Sequence, residues 1–119
     1  MQPFDRRRSI RLATEGRLTG RFRERGLAAP ILDVSVGGLL VEVPDAEPIG
    51  ATRHVTIEVP GAGWSEEFAV RVVSCRPGRP GGPTPGYLVG LAFLGVDAAS
   101  GDVRTQALVD RLTDALRAG

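Results

Sequence analysis

Apolar residues recur at every second position through much of this chain: Val55, Ile57 and Val59, then Phe68, Val70 and Val72, then Tyr87, Val89, Leu91 and Phe93. Successive side chains of an extended backbone point to opposite faces, so a period of two gives a strand one buried face and one solvated face. Such a strand is not stable alone and needs neighbours on both edges, or a closed sheet. Turn signals separate the runs. Ile10 to Phe22 reads as a first strand, with Leu12, Leu18 and Phe22 at even spacing. Pro30 to Ser35 and Leu39 to Val43 come next, divided by Val36-Gly37-Gly38, which reads as a tight turn or a bulge. Arg53 to Val59 runs through Pro60-Gly61-Ala62-Gly63, a hairpin turn, into Trp64 to Cys75, and Tyr87 to Leu94 is the last strand.

Between the last two strands, Pro77 to Gly86 is built almost entirely of proline and glycine and is expected to form an exposed, mobile loop. The period then changes. Leu108, Leu112 and Leu116 stand four apart with Val109 beside them, which predicts an amphipathic helix over residues 102–118, capped by Ser100 or Asp102. Six strands at hairpin spacing and one closing helix predict an all-β protein: a small six-stranded antiparallel β-barrel with a C-terminal α-helix. The expected organisation is a single domain over residues 1–119, with a flexible arginine-rich arm at 1–11, the barrel at 12–94 and the helix at 102–118.

Composition removes several function classes. No apolar run approaches the ~20 residues of a membrane helix, and the N-terminus has no hydrophobic stretch for export, so no membrane insertion and a cytoplasmic location are expected. Cys75 is the only cysteine, which leaves no intramolecular disulfide and no cysteine-based zinc site. Net charge is +1, yet Arg6, Arg7, Arg8, Arg11, Arg17, Arg21, Arg23 and Arg25 face only Glu15 and Glu24 within the same stretch. That imbalance suggests a local anion site rather than a surface for a nucleic-acid polymer, which would need aromatics interleaved with the basic residues. Because the chain contains no lysine, arginine abundance carries less weight than arginine position.

Two positions stand out. Arg7 and Arg11 are four apart, with Arg6 in front, so in an extended segment their guanidinium groups share a face. A guanidinium fork binds a phosphate or the O6/N7 edge of guanine bidentately. Taken alone, the arginines read as a solvated basic tail. Asp33 and Ser35 precede Gly37-Gly38 with the spacing that places two side chains on one face of a strand end. A carboxylate there can accept from guanine N1–H and N2–H₂, and Gly38 would let the chain turn or a flat ligand come close. Taken alone, these are ordinary turn formers.

The ordered pair, Arg6-Arg7-xxx-Arg11 followed one strand later by Asp33-x-Ser35-xx-Gly38, resembles the PilZ family, as does the late strand Gly90-Leu91-Ala92-Phe93. The resemblance implies a PilZ-type barrel that is not an enzyme and uses no catalytic cofactor. Its implied ligand is cyclic di-GMP, bound on the outside of the barrel and reported to a separate effector protein in motility, exopolysaccharide or pilus control. By that likeness Arg7 and Arg11 clasp guanine edges and phosphates, Asp33 and Ser35 hold a guanine, Gly38 leaves room for it, and Arg6 favours a stacked pair of ligands. The alternative is a PilZ-like module that acts through protein contacts and ignores the nucleotide.

Other polar residues are read as structural. His54, the only histidine, sits in an alternating strand, and nothing like a nucleophile elbow surrounds Ser35. Glu66 and Glu67 are expected to be solvated on opposite faces, Cys75 to be a small core or edge residue, and Trp64 to anchor packing beside its turn.

Overall fold

The computed structural model describes residues 11–59, 63–78 and 86–118. Arg6, Arg7 and the expected arm up to residue 10 lie outside the described residues, as do 60–62 of the hairpin turn and 79–85 of the proline-glycine loop. Six strands appear in chain order: β1 (Leu12–Phe22), β2 (Leu27–Val34), β3 (Gly38–Val43), β4 (Thr52–Val59), β5 (Trp64–Pro77) and β6 (Tyr87–Phe93), followed by helix α1 (Val103–Ala118). They close into an antiparallel barrel in the order β1-β2-β3-β6-β5-β4. Closure pairs every strand on both edges, the requirement the alternating pattern imposes.

The alternating residues form the interior. Ile31, Val41, Val55, Ile57 and Val70 are fully enclosed, and Phe68 and Phe93 meet with ring centroids 5.0 Å apart. Each buried aliphatic or aromatic side chain contributes about 1.5–3 kcal/mol of transfer free energy, the main drive for the barrel. Leu108 and Leu112 of α1 are as deeply buried as the barrel core, while Val109 is half-buried. Asp102 is the N-cap: its carboxylate accepts the Thr105 N–H at 2.9 Å, and Thr105 Oγ1 accepts the Asp102 N–H at 2.9 Å, a reciprocal capping box. Arg104 lies 4.6 Å over the Phe68 ring and Arg111 5.0 Å over Trp64, so these two arginines clamp the helix to β5.

Glu47, ahead of β4, is nearly buried between two arginines, with Arg25 Nε and Arg53 Nε each 3.0 Å from one of its carboxylate oxygens. Glu66 and Glu67 are not simply solvated: Glu66 pairs with Arg104 and Glu67 with Arg23. His54 is half-exposed and pairs with Glu24. Within the arginine-rich stretch, Arg11, Arg23 and Arg25 are each paired with a carboxylate distant in sequence.

Among the described residues the regular pairing shifts register at three places, one on β1 between Ala13 and Leu18 and two single-residue bulges, on β2 and β5. On β2, Ile31 pairs with Val41 but Asp33 pairs with Leu40, so Leu32 is an extra residue. On β5, Val72 pairs with Leu91 but Ser74 pairs with Gly90, so Val73 is extra. One additional residue reverses which side chains face outward beyond it.

Candidate functional site

The β2 bulge sets up the site. Ala29 and Ile31 point into the barrel, and uninterrupted alternation would carry Asp33 inward as well. The extra residue turns Asp33 to the outer surface, opposite Leu40. Arg11, just ahead of β1, reaches it. Its Nε and Nη2 donate to Asp33 Oδ1 at 3.1 and 2.6 Å, joining the two sequence motifs side by side. The Arg11 side chain is 54% exposed and that of Asp33 23%, so this ion pair is open to exchange with an incoming ligand.

Ser35 sits differently from Asp33. It lies one residue beyond β2 and is buried, with its Oγ accepting the N–H groups of Gly37 and Gly38 at 3.2 Å each. The Ser35 N–H donates to the Gly38 carbonyl at 2.9 Å. These bonds lock the β2–β3 turn, and the turn holds Asp33 at its edge. Gly38 is also buried: a Cβ there would stand 1.9 Å from the Leu91 carbonyl oxygen, so β3 and β6 approach this closely only with glycine in place. A Cβ on Gly37 would stand 2.4 Å from the Ala98 carbonyl, which puts the turn against the segment leading to α1.

Asp33, Leu40, Gly90 and Ser74 are successive cross-strand partners and form one outward row over β2, β3, β6 and β5. They underlie an open groove of about 500 Å³ whose lining also includes Arg11, Ser35, Gly38 and Arg76. That volume suits a small-molecule ligand. Of the six residues expected at the site, Arg11, Asp33, Ser35 and Gly38 meet at this groove, whereas Arg6 and Arg7 lie outside the described residues. Sequence reasoning misses Ser74 and Arg76. The inward phase of Phe68, Val70 and Val72 assigns both to the interior, and only the β5 bulge turns them out.

No group of histidine, cysteine and acidic residues that could hold a metal ion occurs among the described residues. Likewise, no described helix is long and apolar enough to cross a membrane.

Comparisons with known proteins agree with this architecture. The PilZ domain of YcgR from Escherichia coli, a structure with c-di-GMP, superposes with a TM-score of 0.66 at 17% identity, over 94% of this chain and 95% of that one. The Bacillus subtilis inhibitor of motility MotI/DgrA superposes with a TM-score of 0.67 at 19% identity over 98% of this chain, which spans 51% of that protein's length. A comparison with curated protein sequences finds no match. A family model for the PilZ domain matches residues 5–112, nearly the whole chain, and on that ground this protein belongs to the PilZ domain family.

Proposed function

We propose that this protein is a receptor for cyclic di-GMP that binds the dinucleotide in the outer groove and signals to a separate effector protein in the cytoplasm, in control of motility, exopolysaccharide or pilus. The observation that carries the reading is the meeting of Arg11 and Asp33 over an open groove in a PilZ barrel. The ligand is a dianion with two guanines. A guanine N1–H and N2–H₂ suit the Asp33 carboxylate, and a guanidinium suits guanine O6/N7 or a phosphate. In the free protein Arg11 and Asp33 satisfy each other. Binding exchanges one pair of charge-assisted contacts for two, so neither charge is stranded. Arg7 would close on the ligand from the preceding segment, and Ser35 would act by holding the turn that presents Asp33. Because that turn abuts Ala98, ligand-induced movement there has a short route to α1 as well as to the N-terminal segment.

A second reading takes the same ion pair as a strut in a module that works by protein contact alone. Calorimetric titration separates the two. Cyclic di-GMP should bind, cyclic di-AMP far more weakly because adenine lacks the N1–H and N2–H₂ donors, and GTP weakly because it offers one base only. No heat with cyclic di-GMP, or equal heats for the guanine and adenine dinucleotides, rejects a guanine-reading site.

A further inference from the structure

The groove has two walls, and the family resemblance accounts for one. On the β2 side stand Arg11 and Asp33. On the β5 side the bulge at Val73 turns Ser74 and Arg76 outward, while Cys75 turns in against the core. This is the mirror of what the β2 bulge does for Asp33, and both bulges act at one level of the barrel, because Asp33 and Ser74 end the same cross-strand row. Bulges beside a site commonly re-aim a side chain toward it.

The floor between the walls is kept low. A Cβ on Gly90 would stand 2.4 Å from Ser74 Oγ, so glycine there leaves the hydroxyl uncovered. Arg76 is exposed, lines the groove, and makes no side-chain hydrogen bond or ion pair among the described residues. Arg11, Arg23, Arg25, Arg53 and Arg104 have carboxylate partners, and of the described arginines without one only Arg76 lines this groove. Three strand spacings separate Asp33 from Ser74, about 14 Å over the curved surface. An unpaired guanidinium beside a hydroxyl makes a donor set suited to a phosphodiester.

From this we infer that Arg76, with Ser74, is the second binding wall and takes a phosphodiester of the cyclic dinucleotide while Arg11 and Asp33 hold a guanine. The inference rests on the cyclic di-GMP reading and adds to it a contact outside both sequence motifs. Arg76→Ala should weaken cyclic di-GMP binding by about ten- to a hundredfold, and Arg76→Lys should recover part of that loss as a point charge. Arg21→Ala, which removes the same charge from an exposed β1 position away from the groove, should bind like the wild type. Circular dichroism melts of all three variants should match the wild type, since neither arginine is buried. Wild-type affinity in Arg76→Ala, or an equal loss in Arg21→Ala, overturns the role of Arg76 alone. A wild-type protein that takes up no cyclic di-GMP overturns the nucleotide reading and this wall together.

Discussion

Replacing Gly38 by alanine tests what the glycine of the second motif is for. The added Cβ would sit 1.9 Å from the Leu91 carbonyl oxygen and 3.2 Å from Ala92 Cα. Carbon approaches a carbonyl oxygen to about 3.3 Å, so starting from 1.9 Å the β3 and β6 backbones must part by about 1.4 Å. The atom in the way is main chain and cannot rotate aside. Parting the strands stretches the Phe93 N–H to Gly37 carbonyl bond that crosses this seam at 2.9 Å. Overpacking costs about 1–3 kcal/mol, and the weakened buried hydrogen bond adds about 1 kcal/mol. The expected loss is therefore about 2–4 kcal/mol, a large part of the roughly 5–15 kcal/mol that holds a small domain together. For a chain of this size it lowers Tm by about 10–20 °C. Gly90→Ala is the control: the one close atom is the Ser74 hydroxyl at 2.4 Å, which can turn away, and the Ser74 and Val73 side-chain carbons at 3.6 Å are ordinary contacts, for a cost below about 1 kcal/mol. Urea unfolding followed by circular dichroism measures both. A Gly38→Ala variant as stable as the wild type would show that the strands yield without cost and that the glycine serves the ligand alone.

Removing Glu47 strands two guanidinium groups at the barrel end, so Glu47→Ala should lose about 1–3 kcal/mol in urea unfolding, with Glu47→Gln losing less; unchanged midpoints would mean that solvent takes over both arginines. Acid stability carries a separate signature at Glu24. Burial opposes its charge, but the His54 ring and the His54 N–H at 2.9 Å outweigh it and hold its pKa down to about 2. A depressed carboxylate contributes its full stabilisation above about pH 4.5 and loses it as pH falls toward 2, so Glu24→Gln should flatten that part of the stability–pH curve by about 0.2–1 kcal/mol, the range of a solvent-screened pair. Identical acid limbs for the two proteins would refute this. Arg6 beside Arg7 leads us to expect two cyclic di-GMP molecules per chain and one in Arg6→Leu; the same titration endpoint for both proteins removes that role.

The alternation of Val55, Ile57 and Val59, and of Phe68, Val70 and Val72, specified strands with one buried face, because inward and outward positions follow from backbone geometry within a single segment. The leucines of α1 were equally legible, since a helix satisfies its hydrogen bonds locally, while the sequence offered Ser100 or Asp102 as its cap and the structure selects Asp102. The order of the two motifs was enough to select the family. What the sequence did not determine depends on how two strands pair. Asp33 reaches the surface, and Ser74 and Arg76 join it in one groove, because Leu32 and Val73 are unmatched against their neighbours. A bulge is a relation of register between strands, so periodicity within β5 alone assigned Ser74 and Arg76 to the wrong face. The burial of Ser35 and the clasp of Arg25 and Arg53 on Glu47 likewise exist only once closure brings separate segments together. Local residue pattern determined the strands and the helix; the register of the closed sheet decided which polar side chains share a surface, because that register is set by packing across strands.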